Sequence, residues 1–143
     1  MAILNDRDRE AVRVELTKLV GPVKLVVFSQ ALSAAGDLCR ENEQLVREVA
    51  ELSDQVSVEA LNLSIDRERA EAYGVEEVPA IVVEGERDYG LRFLGVPSGY
   101  EFSNLIDAMI VASSGEPALS EETKASLGAL ATDIDIKVFS TPT

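Results

Sequence analysis

The run Val23-Lys24-Leu25-Val26-Val27-Phe28 constrains what this chain can fold into more than any other segment. Only Lys24 interrupts a compact β-branched and aromatic stretch, so the run reads as a buried strand. A buried strand needs covering layers, and the neighbouring segments have the spacing to supply them. Before it, residues 6–20 carry Val12, Leu16, Leu19 and Val20 at helical intervals, with Asn5 as an N-cap and Gly21-Pro22 as a stop. After it, a loop over 29–35 leads into a helix with Leu38, Leu45, Val49 and Leu52 on one face, ending near Ser53-Asp54.

The rest repeats the alternation. Residues 56–63 begin Val56, Val58, Ala60 and read as a second strand. A short helix over 66–73 stops at Gly74. Val78-Pro79-Ala80-Ile81-Val82-Val83 is a third strand with its proline at the entry, where a missing N–H does least harm. Gly85 marks a tight turn, and residues 89–94 return as the second arm of a hairpin. Ser98 and Glu101 have the spacing of a capping box, ahead of a helix with Phe102, Leu105, Ile106, Met109 and Ile110 on its buried face. The order α-β-α-β-α-β-β-α predicts an α/β fold, parallel in its first part with an antiparallel hairpin at the edge.

Composition removes several chemistries. The 143 residues suffice for one ordinary domain with a real core. There is no histidine, which excludes Ser-His-Asp and Cys-His catalysis and His-ligated zinc. Cys39 is the one cysteine, so no internal disulfide or Cys-x-x-Cys centre can form. Against 13 basic residues stand 26 acidic ones, a formal charge of −13 that makes nucleic acid and anionic membrane poor partners. No phosphate-binding glycine motif occurs, Asp133 and Asp135 lack the further oxygens of a calcium site, and no cofactor or metal is expected. The N-terminus lacks a signal peptide's basic-then-apolar order, so the expected location is the cytoplasm.

The last thirty residues stand apart. Residues 113–117 read as a linker, Ser120 caps a short helix over 121–131, and residues 134–140 read as another strand. Val138-Phe139-Ser140 echoes Val27-Phe28-Ser29, each after a helix and a turn. The division expected is a first domain over 1–114, and a linker helix with the opening strand of a second unit over 115–143. An unpaired terminal strand is also a candidate edge for dimerisation.

The residues around Pro79 complete a resemblance. A β-α-β unit, a connecting helix, then Val78-Pro79 entering a hairpin and a final helix is the order of the thioredoxin fold. The added N-terminal helix, Pro22 to Phe28, Glu48-Val49-Ala50-Glu51-Leu52-Ser53-Asp54, and above all residues 90–102 narrow it. They resemble the N-terminal unit of the glutaredoxin-like protein disulfide oxidoreductases, which carry two thioredoxin-like units in tandem. The N-terminal domain of the alkyl hydroperoxide reductase flavoprotein subunit is similar, and its first unit has no redox cysteines. The resemblance implies a central mixed four-stranded sheet flanked by helices, with an extra N-terminal helix and a C-terminal strand beginning a second unit. It also implies thiol–disulfide exchange and redox homeostasis for an intact protein acting on redox partners or disulfide substrates.

The departure from the family lies at the active site. By the resemblance, the Cys-x-x-Cys positions fall on Gly36, Asp37, Leu38 and Cys39. The first cysteine attacks the substrate disulfide and the second resolves the intermediate. Here the attacking position is Gly36 and only the resolving position, Cys39, survives, so the two-step route cannot run in this unit. A Gly36→Cys change is expected to form a disulfide with Cys39 if the site geometry is kept. Whether the chain is enzymatic stays open on the sequence. Cys39 reads either as a vestigial or glutathione-accepting thiol or as a buried apolar residue. Val78 and Pro79 read either as a cis-proline peptide groove or as a plain strand entry. Tyr89, Phe93, Tyr100 and Phe102 divide between core and partner surface, while Gly95, Pro97 and Gly99 read as turn and cap residues. For the whole, the reading is a redox-degenerate scaffold or docking half of a disulfide oxidoreductase; the alternative is a stand-alone adaptor module.

Overall fold

The computed structural model describes residues 1–141. In chain order it comprises α1 (Asp6–Leu16), β1 (Val23–Ser29), α2 (Gly36–Ala50), β2 (Val56–Asn62), α3 (Arg67–Tyr73), β3 (Ala80–Glu84), β4 (Asp88–Leu94), α4 (Tyr100–Ser114) and α5 (Glu121–Gly128). The strands form one mixed sheet of order β2-β1-β3-β4. β1 runs parallel to β2 from Val23↔Val56 to Ser29↔Asn62 and antiparallel to β3 from Lys24↔Glu84 to Phe28↔Ala80. The hairpin places β4 antiparallel to β3 at the edge. This is the mixed four-stranded α/β architecture of the thioredoxin fold.

Strand alternation divides the core into two layers. Val23, Leu25 and Val27 of β1, with Ile81 and Val83 of β3, face α1, α2 and α4. Their partners there include Val12, Leu16, Leu45, Val46, Val49, Leu105, Ile106 and Met109. Val26, Phe28, Ala80 and Val82 point the other way, onto Ala70 of α3 and Val75. The α/β alternation expected from the sequence is thus in place, and Tyr89, Phe93 and Phe102 pack against the first layer.

Local signals mostly act as read. The Asn5 side chain accepts from Asp8 N–H at the start of α1, and Ser120 accepts from Thr123 N–H at the start of α5. Gly74 closes α3 in the left-handed conformation, φ 65°. α1 ends a turn earlier than its periodicity suggests: residues 17–19 continue as hydrogen-bonded turns, which keeps Leu19 buried and leaves Val20 exposed. β3 pairs from Ala80 onward, since Pro79 has no N–H to give the ladder.

Two expectations fail. Ser98 and Glu101 form no capping box: Gly99, at φ 60° and ψ −127°, turns the chain, so α4 starts at Tyr100 with no side-chain cap. The strand expected over 134–140 is absent among the described residues. α5 stops at Gly128, and the described residues beyond it are exposed and irregular, because a strand has no identity without a hydrogen-bonded neighbour.

Candidate functional site

The topology gathers one set of loops at one end of the sheet. β1, β2 and β4 finish there and β3 begins there, through the aligned positions Phe28, Ala80 and Leu94 and the pair Ser29↔Asn62. Loops 30–35, 63–66, 74–79 and 95–99 therefore share this end, together with the start of α2. Cross-links hold them in place. Leu63 N–H donates to Ser29 C=O at 3.0 Å, and Gln30 Nε2 donates to Ser64 Oγ at 2.9 Å. Asn62 Oδ1 accepts from Ser64 N–H and Ile65 N–H, while Asn62 N–H donates to Asp66 Oδ2 at 2.7 Å. Gly95 N–H donates to Pro79 C=O at 2.8 Å, tying the β4 exit to the β3 entry.

Gly36, Asp37, Leu38 and Cys39 open α2, where the resemblance puts the family's motif. The approach is a tight coil: Ser33 N–H and Oγ both donate to Gln30 C=O, and Gly36 N–H donates to Ser33 C=O at 3.0 Å. That coil brings the Ala31 carbonyl over Gly36. A Cβ on Gly36 would fall well under 3.0 Å from the Ala31 oxygen, closer than real side chains approach. The space a cysteine side chain needs is filled by main chain, so the expected Gly36→Cys disulfide requires the loop to move first. Asp37 and Leu38 are exposed, and Asp37 is bonded by Arg40 one turn on. Cys39 turns inward and is 2% exposed.

Deeper on the inward side of α2 stands Asn42, fully buried, with neither amide atom hydrogen-bonded. No group of titratable side chains among the described residues has the makings of a metal site.

The proline side of the same end is organised differently. The Val78–Pro79 peptide is cis, and Pro79 is buried. Neither the N–H nor the C=O of Val78 has a hydrogen-bond partner among the described residues. At the same end stand large apolar side chains in solvent: Leu32 from the α2 approach, Leu38 in the first turn of α2, Ile65 (81% exposed), Leu94 at the end of β4, and Tyr100 (82% exposed). Of the four aromatic residues read from the sequence, only Tyr100 joins this surface. Sequence reasoning missed Leu32, Ile65 and Leu94, because single exposed apolar residues are ordinary and only the topology collects these at one end, and it placed Leu38 on the apolar face of its helix, whereas Leu38 is half exposed.

Elsewhere several charged groups are paired in place. Burial alone would raise the Glu48 carboxyl, but the N–H groups of Leu4 and Ile3, the Gln44 amide and the nearby Arg9 outweigh it and hold it below its usual range. On the α3 side of the sheet, Arg69 grips Glu59 with two hydrogen bonds, Lys24 pairs with both Glu59 and Glu84, and Arg92 grips Asp88 while stacking over Tyr73.

No protein-family model matches the chain. Curated relatives do. A Probable Thioredoxin of Methanothermobacter thermautotrophicus is 39% identical over 57 residues, which are 40% of this chain and 62% of that protein. A Probable Thioredoxin of Methanothermobacter marburgensis is 34% identical over 85 residues, 59% of this chain and 92% of that protein. Among solved structures, the alkylhydroperoxide reductase AhpF of Enterococcus faecalis superposes with a TM-score of 0.78 at 23% identity, covering 89% of this chain and 61% of that one. A protein disulfide oxidoreductase of Aeropyrum pernix gives 0.76 at 24% identity, covering 91% and 56%. The chain thus spans under two thirds of these two structures and of the first relative, and the structural likenesses speak for the fold. With the marburgensis relative matched over nearly its whole length, the chain belongs to the thioredoxin family.

Proposed function

We propose that this chain is a redox-degenerate thioredoxin unit that docks a polypeptide partner and exchanges no disulfide with it. The observation that carries this reading is the start of α2: Gly36 stands at the attacking position under the Ala31 carbonyl, and Cys39 is buried. Thiol exchange needs an accessible thiolate in line with the substrate disulfide, and neither condition is met. The docking side retains its parts. Val78 offers one free donor and one free acceptor beside Pro79, and Leu32, Ile65, Leu94 and Tyr100 stand exposed at the same end of the sheet as an apolar collar. An extended segment laid along Val78 would gain main-chain hydrogen bonds and bury that collar.

Native thiol labelling is the test. Cys39 is expected to react with a maleimide at least about a hundredfold more slowly in the folded chain than after unfolding, as burial of an inert thiol requires. The folded chain is also expected not to accelerate reduction of a protein disulfide by dithiothreitol. Rapid native labelling together with accelerated reduction would overturn the reading.

The tandem arrangement is the finer form of the proposal. Here the chain is the N-terminal half of a disulfide oxidoreductase whose cysteines lie in a second unit, with cytoplasmic location and dithiol partners following from it. It is supported by the partial coverage of both solved structures, 61% and 56% of their chains, against 89% and 91% of this one. The intact mass of the protein in its source is the check, and a species heavier by about one thioredoxin domain is expected. A species of 143 residues would favour the stand-alone adaptor instead.

A further inference from the structure

The two edges of the sheet are finished differently. At β4 the ladder shifts register between Val83 and Glu84, Gly90 takes a φ of 84°, and the Asp88 carboxylate holds the Gly90 N–H. Such an irregularity blunts an edge against further pairing. β2 has none, and runs beside β1 in unbroken register over all seven residues. Val23 N–H donates to Gln55 C=O and Leu63 N–H to Ser29 C=O, so the odd-numbered residues of this segment turn to β1. The even-numbered ones turn outward. That outer row is closed at its ends, Val56 N–H by Ser53 C=O and Asn62 by Asp66. Between them the N–H and C=O groups of Val58 and Ala60 have no partner among the described residues.

The same molecule holds an unpaired segment with a matching pattern. Ile134, Ile136 and Val138 alternate with Asp135 and Lys137, Phe139 follows, and all six are exposed. Within one chain this segment and the β2 edge stay apart. We propose that the 143-residue chain pairs with a second copy of itself, each lending residues 134–140 as a further strand parallel to the other's β2. Side-chain pattern and charge select one register. With Ile136 beside Val58, Ile134 falls beside Val56 and Val138 beside Ala60, which extends the apolar row of the three-helix face. On the opposite face Phe139 meets the half-buried Leu61, Asp135 meets Ser57, and Lys137 meets Glu59, whose carboxylate already draws Lys24 and Arg69. A slip of two residues one way sets Asp135 against Glu59, and the other way sets Phe139 there. A slip of one turns the apolar row to the charged face. An antiparallel strand with Lys137 at Glu59 leaves Asp135 against Leu61. In the parallel register Val58 N–H donates to Asp135 C=O and Ala60 N–H to Lys137 C=O. Lys137 N–H and Phe139 N–H donate in turn to the carbonyls of Val58 and Ala60, so all four open groups of the edge are satisfied. Reciprocal exchange closes the pair about a two-fold axis. This pairing is independent of the docking reading at Val78; in a longer protein a following unit would claim the same segment, so the test uses the 143-residue chain.

Ser57 and Asp135 are exposed while Cys39 is buried, so a disulfide can report the register. The chain carrying Ser57→Cys and Asp135→Cys, mildly oxidised, is expected to form a covalent dimer, because aligned residues of neighbouring strands stand within disulfide reach. Ser57→Cys with Asp133→Cys, out of register, is expected to cross-link at least about tenfold more slowly. In the parent chain, light scattering is expected to show a concentration-dependent dimer, with exchange of the Val58 and Ala60 amides slowing at least about tenfold as it forms. Lys137→Pro removes an N–H that the pairing uses, outside the folded core, and is expected to abolish the dimer with no change in unfolding midpoint. A disulfide formed within one chain would overturn the second copy as the occupant. A parent chain that stays monomeric, with rapid exchange at Val58, would overturn the pairing itself. A dimer indifferent to Lys137→Pro and not linked through positions 57 and 135 would put the interface elsewhere and overturn this register.

Discussion

The two faces of the sheet solve the same burial problem by different means. One face is covered by three helices and carries a continuous apolar layer from Leu4 and Val12 through Leu45, Val46 and Val49 to Leu105 and Met109. The other has α3 alone. A seven-residue helix is about 10 Å long, whereas the seven-residue strands β1 and β2 each extend roughly 23 Å. α3 therefore caps only Val26, Phe28, Ala80 and Val82, and the remaining rows lie open. There the strands present Glu59, Lys24, Glu84, Arg92 and Asp88, alternating in sign across all four strands. A sheet face can be finished by packing or by paired charge, and this chain uses packing where several helices meet and charge where one helix runs out.

Substitutions break this comparison at different depths. The largest effect is expected on the three-helix face: Leu105→Ala, fully buried against the sheet, costs about 3–4 kcal/mol in chemical denaturation. Next comes the clasp that holds the N-terminal segment onto α2. Glu48→Gln is expected to cost about 2 kcal/mol at neutral pH, since the carboxylate accepts from Ile3 and Leu4 N–H. The Glu48 carboxyl is held below its ordinary value, so its stabilisation is present at neutral pH and fades as pH falls through the lowered value. Parent and variant stabilities are thus expected to converge as the pH falls from the ordinary carboxylate value through the lowered one.

Smaller effects sharpen the comparison from the other side. Asn42→Leu should raise stability by about 1 kcal/mol, because it removes a buried amide with no partner from the otherwise apolar inner side of α2. A loss of stability on this change would show that Asn42 is satisfied by water. The smallest change is expected on the charged face. Lys24→Met should cost under about 1 kcal/mol, since its pairs with Glu59 and Glu84 are partly solvated, and added salt should shrink the cost further. Hydrogen bonding to Glu84 holds the Lys24 ammonium above its ordinary value despite partial burial. Its contribution is therefore complete below about pH 10 and disappears as pH rises through the raised value. A cost rivalling that of Leu105→Ala would mean that the charged face is as structural as the packed one.

Local periodicity made the elements legible. Val23 to Phe28 marks the central strand by its composition alone, and Gly74, Asn5 and Ser120 act through their immediate neighbours. What stayed hidden depends on distant approaches. Glu48 binds residues 44 and 45 positions away, and nothing in its surroundings along the chain signals that. Ser98 and Glu101 satisfy a spacing rule, but the positive φ of Gly99 overrides it. The tail over 134–140 has strand composition and no strand, since pairing belongs to two segments and composition to one. At the candidate site the sequence displayed Gly36 and Cys39. It could not display the exposed apolar residues of the same end, which come from two loops, the end of β4 and the first turns of α2 and α4.

The oxygen of Ala31 over Gly36 also decides what a substitution there must overcome. Gly36→Cys adds only a CH2–SH group, so introducing a thiol looks like a small step. Backbone occupancy lengthens it: a cysteine at 36 arrives into a space already taken, and gains nothing until the 30–35 coil has been rebuilt. Access to position 36 is thus controlled by the path of the main chain two turns of coil earlier, and a side chain there is admitted or refused by a carbonyl.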